Sequence, residues 1–344
     1  MPTCAIVSFR LGGADGVAIE AAKWARALEA LGFAVSTVAG EGVVDHQVEG
    51  LRIRDESPVD RSALAAALDA DLCIVENLCS LPLNPSAAEA VAELRRGRPT
   101  VLHHHDLPWQ RPAFLDPPPP PTDPAWVHVT INERSRRELA ERGLAATTCY
   151  NRFDPTPPRG DRVGLRQALG LASGDRLVLQ PTRALVRKGI DRALEATAAL
   201  GATAWLLGPP EDGFDDELEG LLESATCPVR RGWPPGSWSI HDAYAAADVI
   251  CMASSWEGFG NPTLESATHR RPLVLNRYPV ARELERFGFC WFGLDELAQF
   301  EALGTEELAA VVDTNHQVAS QHFNVDDLPA VLNQILEPLA RSLR

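Results

Sequence analysis

The sequence has little positive charge, since 32 lysines and arginines stand against 47 aspartates and glutamates and give a formal net charge of −15. Affinity for nucleic acids depends mainly on clustered cations that neutralise phosphates. This balance disfavours a nucleic-acid partner. Any site for a phosphate-bearing ligand must therefore be local.

Long apolar runs and cysteine pairs are also absent. No apolar stretch reaches the ~18 residues that span a bilayer, so stable membrane insertion is not expected. The N-terminal residues lead directly into the strand-like run Cys4–Val7, which predicts no signal peptide. The seven cysteines are odd in number and form no CxxC motif. This pattern predicts a reduced, cytoplasmic location.

Strands and helices alternate in the first half of the chain. A strand at 4–9 is followed by a glycine loop at 11–16 and by a helical pattern that ends at Gly32. The next strand is expected at 33–39, and a strand, a helix and a strand in succession are typical of a parallel sheet. Further strands are predicted at 72–75, 100–103 and 127–130.

The alternation begins again after a stretch rich in proline and glycine at 151–175, which we interpret as a linker region. Strands are predicted at 177–180, 204–207, 249–253 and 273–275, and helices at 190–200, 214–224, 240–247 and 262–270. A length of 344 residues suits two domains of roughly 150 residues each. We therefore predict an α/β protein with Rossmann-like domains at 1–155 and 165–320. A closing helix at 321–344 is expected to pack toward the N-terminal domain.

The most informative stretch follows the predicted strand at 249–253. Gly258 and Gly260 allow a positive φ and a close approach of the backbone to a ligand. Asn261 is a good N-cap residue, and Pro262 suits the first turn of a helix. A helix that begins in this way can bind an anion such as a phosphate.

Two carboxylates flank this helix start, with Glu257 just before the glycines and Glu265 within the helix. Phosphates would repel them unless each carboxylate bound another group, and sugar hydroxyls are suitable donors. The pattern therefore indicates a nucleotide-sugar site, because such a ligand carries hydroxyls on both sides of its diphosphate.

The run from Glu257 to Glu265, with Arg270-Arg271-Pro272 beyond it, resembles the E-x7-E signature of retaining GT-B glycosyltransferases of family 4. The resemblance implies a GT-B fold, in which two Rossmann-like domains face each other across a cleft. It also implies that Glu257 contacts the transferred sugar during catalysis and that Glu265 holds the ribose hydroxyls. The other donor-binding residues of this loop would be Gly258, Phe259, Gly260 and Asn261.

A cationic loop at 180–189 follows the first strand of the second half. Family members use an arginine and a lysine at this place to neutralise the diphosphate, and Arg183 and Lys188 match by position, with Arg187 as a rival. Positioned cations can stabilise a leaving diphosphate without magnesium. Since no DxD-type motif is found here, the resemblance implies a metal-independent enzyme without a cofactor other than its nucleotide-sugar co-substrate.

The run His103-His104-His105-Asp106 resembles the family's His-Asp-Leu-x-Pro stretch, which makes His105 a candidate catalytic residue. Alternation along a strand points His103 and His105 to one side and His104 to the other, so at least one of them is expected to be structural. Adjacent histidines are a poor zinc site, and the remaining ligands are missing.

Other candidate residues in the first half are supported by their places in the order of strands and helices rather than by exact motifs. Gly12 and Gly13 resemble the family loop that approaches the donor, although a tight turn without a ligand would explain them as well. Glu76 and Asn77, at a strand end, match weakly. The candidate acceptor residues are Asp15, His105, Asp106 and Asn132.

The acceptor is expected to be small and soluble, because the first-half helices have no basic amphipathic patch apart from Arg134, Arg136 and Arg137. The stretch Asn276–Pro279 faintly resembles enzymes that make glycosylated glycerate solutes, and its arginine could hold a carboxylate.

The residues and the resemblance together predict transfer of a hexose, with retention, from UDP-glucose or GDP-mannose to an acceptor hydroxyl. The alternatives are a sugar-nucleotide epimerase of the same fold and a non-catalytic nucleotide-sugar-binding protein. The sequence does not specify the base, the sugar, the linkage or the oligomeric state.

Overall fold

The computed structural model describes residues 1–111, 114, 117–211 and 213–339. The chain divides into two units, one formed by Met1–Arg152 with Val325–Arg344 and the other by Phe153–Asn324. Residues 340–344, the end of the predicted closing helix, lie outside the described residues. Within the described ranges, no helix combines the length and apolar character needed to cross a membrane.

The first unit is built on a parallel sheet of seven strands in the order β3-β2-β1-β4-β5-β6-β7. Its strands are β1 (Thr3–Leu11), β2 (Ala34–Gly42), β3 (His46–Gln47), β4 (Leu72–Glu76), β5 (Thr100–His104), β6 (Trp126–Thr130) and β7 (Ala146–Thr148).

The second unit is built on a parallel sheet of six strands in the order β10-β9-β8-β11-β12-β13. Its strands are β8 (Leu177–Gln180), β9 (Thr203–Leu206), β10 (Val229–Arg231), β11 (Val249–Met252), β12 (Leu273–Leu275) and β13 (Phe292–Gly293).

Helices alternate with these strands along the described chain. They are α1 (Gly16–Ala30), α2 (Arg61–Ala67), α3 (Pro85–Arg95), α4 (Glu133–Ala140), α5 (Arg162–Ala168), α6 (Ile190–Ala199), α7 (Asp215–Glu223), α8 (Ile240–Ala246), α9 (Asn261–Thr268), α10 (Pro279–Glu285), α11 (Leu297–Glu301), α12 (Thr305–His322) and α13 (Leu328–Leu336). The prediction of two Rossmann-like halves is confirmed.

Helices cover both faces of the first sheet. Cys4 and Ile6 of β1 lie in one apolar cluster, and Ala5 and Val7 lie in a second. Such continuous apolar runs are typical of parallel strands that are buried on both faces. The first cluster also contains Trp24 of α1 together with residues of α13.

The end of the chain differs from the single helix predicted at 321–344. Helix α12 continues to His322, a 3-10 turn follows at Val325–Asp327, and α13 begins only at Leu328. Pro329 lies in the first turn of α13, where its missing N–H and fixed φ are tolerated. Helix α13 packs on α1 through its apolar positions Leu328, Leu332, Ile335 and Leu336.

The interpretation of 151–175 as a linker region is wrong for its central residues, which form α5. Arg162 and Arg166 of this helix both form ion pairs with Asp248, at 2.5 and 3.1 Å. These pairs attach α5 to the segment that leads into β11. Proline and glycine in the flanking residues concealed the short helix between them.

Each sheet has one point where the strand order reverses, between β1 and β4 in the first unit and between β8 and β11 in the second. Ligands of open α/β sheets bind beyond the carboxyl ends of strands at this point. The predicted site residues follow these strands: Gly12 follows β1, Arg183 and Lys188 follow β8, and Glu257 follows β11. The fold therefore places each set at the edge where a ligand is expected.

Candidate functional site

The loops that follow β8 and β11 lie against each other within the second unit. The backbone N–H of Ser255 donates to the carbonyl of Arg187 at 2.8 Å. Gly189 has φ +61°, and a Cβ atom there would lie 2.5 Å from the carbonyl oxygen of Ala253. A larger residue at 189 would push the two loops apart, so the close approach depends on glycine.

This approach brings Glu257 together with two cations. The Nζ of Lys188 donates to Oε1 of Glu257 at 2.5 Å, and an Nη of Arg187 donates to Oε2 at 3.0 Å. The hydroxyl of Ser254 also donates to Oε1, at 2.6 Å. Both Glu257 and Lys188 are 7% exposed. The three charged groups carry one more positive than negative charge, which suits an anionic ligand.

Burial and charge act against each other at Glu257. Burial alone would raise the pKa of Glu257, but the charges of Lys188 and Arg187 and the hydrogen bonds it accepts hold it below the usual range. Burial lowers the pKa of Lys188; the Glu257 charge opposes this effect and the Arg187 charge adds to it. The carboxylate is therefore ionised throughout the neutral range.

Helix α9 begins differently from the prediction. Gly260, with φ +89°, occupies the N-cap position, and Asn261 is the first helical residue rather than the cap. The buried Tyr278 decides this geometry. Its hydroxyl donates to the carbonyl of Phe259 at 3.0 Å, and a Cβ at Gly260 would lie 1.9 Å from the Tyr278 oxygen.

Gly260→Ala is expected to destabilise the protein more than Gly143→Ala, its matched control. Gly143 also has a positive φ, but nothing lies within 4 Å of its added Cβ. Left-handed strain alone should lower the free energy of unfolding by about 1–2 kcal/mol in the control. Overpacking against Tyr278 should add about 1–3 kcal/mol at Gly260. Urea denaturation of both variants measures the difference, and equal losses would contradict the role given to Tyr278.

Glu265 lies on α9, where the second unit holds its side chain from the neighbouring helix α8. The hydroxyl of Tyr244 donates to Oε2 of Glu265 at 2.6 Å, and Tyr244 is fully buried. His269 stacks on the Tyr244 ring, and its Nδ1 donates to the Glu265 carbonyl at 2.8 Å. With that proton on Nδ1, Nε2 of His269 accepts from Nδ1 of His241 at 2.9 Å.

The other predicted diphosphate cation, Arg183, forms an ion pair with Glu211. Both side chains are more than a third exposed, so the pair contributes little to stability. Gly208 packs directly on the backbone here, because a Cβ at 208 would lie 2.6 Å from the Cα of Arg183. The structure thus brings Lys188, Arg187 and Glu257 together and places Arg183 in a separate ion pair.

In the first unit, the glycine loop after β1 has a structural role in its own right. Gly12 has φ +74°, and a Cβ there would lie 2.5 Å from the carbonyl oxygen of Val43. At Gly13 the nearest atom would be a carboxylate oxygen of Asp15 at 3.6 Å, an ordinary contact. Asp15 caps α1, since its Oδ1 accepts from the N–H groups of Val17 and Ala18.

A buried cluster lies where β4 and β5 end. Oε2 of Glu76 accepts from Nδ1 of His103 at 2.8 Å and from Nε2 of His105 at 2.7 Å. Trp24 of α1 stacks on His103 with ring centroids 4.1 Å apart. The three ligand-type atoms of Glu76, His103 and His105 lie within 4.8 Å of one another, a spacing that a metal ion could also bridge.

The remaining candidates have clear structural partners. His104 points away from the cluster, with Nδ1 2.6 Å from the Ser80 hydroxyl and Nε2 3.0 Å from His128. The predicted alternation of the three histidines is therefore observed. Asn132 caps α4 by accepting from the N–H of Ser135, and Asp106 accepts from Arg111 at 2.7 Å.

Arg277, the arginine of the stretch similar to glycerate-glycosylating enzymes, is held by the protein's own carboxylates. It donates to Glu285 and to Glu296, each at 2.8 Å. These bonds raise the pKa of Arg277 further above its usual value. The suggestion that this arginine holds an acceptor carboxylate therefore has no support from its contacts.

Known proteins resemble this chain in sequence and in fold. Residues 161–292 match the family described as glycosyl transferases group 1. Mannosylglucosylglycerate synthase of Petrotoga mobilis is 26% identical, covering 86% of this chain and 87% of the relative. The synthase of the same name from Thermotoga maritima is 25% identical over 97% of this chain and 99% of the relative.

Solved structures show the same fold. Anabaena HepE in complex with UDP-glucose superposes with a TM-score of 0.75 at 18% identity, covering 99% of this chain and 100% of that one. Sucrose-phosphate synthase from Thermosynechococcus elongatus gives 0.76 at 15% identity, covering 99% and 100%. Residues 161–292 are thus similar to a glycosyl transferase group 1 domain, and the fold is that of GT-B glycosyltransferase structures.

Sequence reasoning missed several residues that shape these sites. The hydroxyls of Tyr244 and Tyr278 hold Glu265 and the loop before α9, and no sequence pattern predicts the partner of either hydroxyl. Glu211 belongs to no recognisable sequence motif. The sequence analysis identifies Glu76 only by its place at a strand end. The apolar run Leu72–Val75 before it indicates that this carboxylate is buried, and because burying a carboxylate is costly, that run could have identified Glu76 as a candidate functional residue.

Proposed function

We propose that the protein transfers a hexose with retention from UDP-glucose or GDP-mannose to a hydroxyl of a small soluble acceptor, without a metal ion. In this proposal Lys188, Arg187 and Arg183 neutralise the donor diphosphate. Glu257 binds hydroxyls of the transferred sugar, and Glu265 binds the ribose.

The observation that carries this proposal is the cluster of Glu257 with Lys188 and Arg187 at the carboxyl ends of β8 and β11. A buried carboxylate beside two cations offers an acceptor for hydroxyls and a neutralising field for phosphates at the same place. Helix α9 begins four residues after Glu257, and its N-terminus adds backbone N–H groups to this field.

The chemistry requires little more than positioning and charge. In front-face displacement the bond from the anomeric carbon to the diphosphate breaks, and the acceptor oxygen forms the new bond on the same face. The leaving diphosphate takes the proton of the acceptor hydroxyl, so no protein nucleophile is needed. Lys188 and Arg187 stabilise the negative charge that grows on the diphosphate.

The relatives bear on the donor and the acceptor. The name mannosylglucosylglycerate synthase specifies a mannosylated product that contains glycerate, which supports a mannosyl donor and a soluble, acidic acceptor. The neighbour HepE was solved with UDP-glucose, which supports the other donor. Binding of the two nucleotide sugars, measured side by side, distinguishes them.

Transfer is expected to persist in excess EDTA, and the product is expected to keep the anomeric configuration of the donor. The physical reason is that side-chain cations already occupy the place where a metal would act. Incubation with each donor and a glycerate glycoside, followed by NMR of the anomeric proton, measures both results. Loss of transfer in EDTA with recovery on adding Mg²⁺ or Mn²⁺ would contradict metal independence. Inverted product would contradict retention, and interconversion of the donor sugar without an acceptor would identify an epimerase.

A further inference from the structure

The cluster at the ends of β4 and β5 contains more than the predicted histidine. Parallel pairing places Glu76 opposite His103, and His105 follows two residues later on the same side. Glu76 is fully buried, and His103 and His105 are 1% and 5% exposed. A buried carboxylate whose two donors are both imidazoles is an unusual and costly arrangement, which suggests a role beyond packing.

The hydrogen bonds fix the tautomers of both rings. An ionised carboxylate only accepts, so His103 carries a proton on Nδ1 and His105 carries one on Nε2. Among the described residues, Nδ1 of His105 has no hydrogen-bond partner. A ligand can therefore reach His105 only through Nδ1, because Nε2 is engaged with Glu76.

The loop that carries His105 is held by a second residue at the end of β4. Oδ1 of Asn77 accepts from the backbone N–H groups of His105 and Asp106, at 3.1 and 3.2 Å. Asn77 itself has φ +59°, a conformation that asparagine tolerates better than most residues. The backbone of His105 is thus fixed by Asn77 and its side chain by Glu76.

We propose that Glu76 is a positioning residue that fixes His105 as a cationic hydrogen-bond donor, with Nδ1–H directed to an oxygen of a bound substrate, rather than as a general base. The proposal rests on the proposed function and on the family resemblance that makes His105 a candidate catalytic residue. It assigns to Glu76 the tautomer, the ring orientation and the charge of that histidine.

The charged groups around His105 support this state. Burial works against the cation, but the hydrogen bond and charge of Glu76 outweigh it, and Glu20 and Asp106 contribute in the same sense, so the pKa of His105 is raised. Burial lowers the pKa of His103, which leaves that ring neutral beside the ion pair. Glu20 of α1 accepts a hydrogen bond from Nζ of Lys23 at 2.5 Å, and burial raises the pKa of Glu20.

A metal ion explains the cluster less well. Two ligands of a tetrahedral zinc ion, each about 2.0–2.1 Å from it, would stand about 3.3 Å apart. The observed separations from Glu76 to the two imidazoles are 2.8 and 2.7 Å, which are hydrogen-bond distances. Metal-bound histidines also donate their second ring N–H to an acceptor. Nε2 of His103 is buried without such a partner among the described residues.

Glu76→Gln in the full-length enzyme tests the proposal. The substitution keeps the shape but removes the charge, so the pKa of His105 should fall by about one to two units. Because a cationic His105 is lost as the pH rises through its pKa, the basic limb of the kcat/KM profile should move to lower pH by that amount. Glu20→Gln is the matched control, because it removes a nearby buried carboxylate without a hydrogen bond to His105, and its shift should be much smaller.

Histidine labelled with ¹⁵N provides a readout that does not depend on activity. In the wild-type enzyme at neutral pH both ring nitrogens of His105 should carry protons, and in Glu76→Gln His105 should titrate at lower pH. A neutral His105 in the wild-type enzyme would overturn the proposal even if Glu76→Gln failed to fold. A shifted titration with an unchanged rate profile would overturn the proposal, because the charge of His105 would then not act on the substrate. One equivalent of tightly bound zinc, lost in Glu76→Gln, would overturn the proposal in favour of a metal site.

Discussion

Glu257→Gln is expected to lower turnover of the intact donor by about 10²–10³-fold, the range seen when one group that stabilises a transition state is removed. Binding of bare UDP or GDP should be retained or tightened. The bare nucleotide has no hexose for Glu257 to contact, and loss of one negative charge leaves Lys188 and Arg187 unopposed beside the diphosphate. Calorimetry with the nucleotide and steady-state kinetics with the donor measure the two effects separately.

Glutamine is the appropriate replacement at this position. Alanine would leave Lys188 buried without its partner, and breaking a buried ion pair typically lowers the free energy of unfolding by about 3–5 kcal/mol. Glutamine keeps an oxygen for Lys188 and for the Ser254 hydroxyl. Glu93→Gln is a matched control, because it removes the carboxylate from an exposed ion pair with Arg61 in the first unit and should leave turnover nearly unchanged. Normal turnover in Glu257→Gln would exclude Glu257 from the reaction.

The sheets were predictable from the sequence because their central strands are short apolar runs, and a run that is apolar at every position marks a strand buried on both faces. The edge strands β3, β7, β10 and β13 were not predicted. They have two or three residues each, too few to carry a pattern. Helix α5 was missed for a related reason, since its stability depends on ion pairs with Asp248, which lies about 80 positions further along the chain.

The site was predictable where it is local in sequence. Glu257, the glycines and Glu265 lie within a single loop and helix, so one short stretch of sequence carries the residue types and the family resemblance that predict a nucleotide-sugar site. The cap of α9 was predicted wrongly because Tyr278, 18 positions beyond Gly260, selects the left-handed glycine. The pairing of Glu76 with His105 depends on the register of β4 against β5, and a register is fixed by packing that no single motif records.

Glu265→Ala should have the opposite effect to Glu257→Gln, because its proposed partner belongs to the nucleotide. A hydrogen bond to a charged acceptor is worth about 1.5–3 kcal/mol, so bare UDP or GDP should bind roughly 10-fold to 150-fold more weakly. Turnover at saturating donor should fall much less, since the ribose is bound equally in the ground state and the transition state. Titration calorimetry with the nucleotide and kcat and KM measured separately give both numbers.

Tyr244→Phe provides the graded control for this prediction. It keeps the ring that stacks on His269 but removes the hydroxyl that holds Oε2 of Glu265 at 2.6 Å. The carboxylate remains but is held less firmly, so the loss of nucleotide affinity should be smaller than in Glu265→Ala and should also appear in KM rather than in kcat. If Glu265→Ala kept full nucleotide affinity while Glu257→Gln lost it, the two carboxylates would have exchanged roles. If neither variant changed binding or turnover, the donor would bind elsewhere, because these two residues flank the end of α9 at which the donor is proposed to bind.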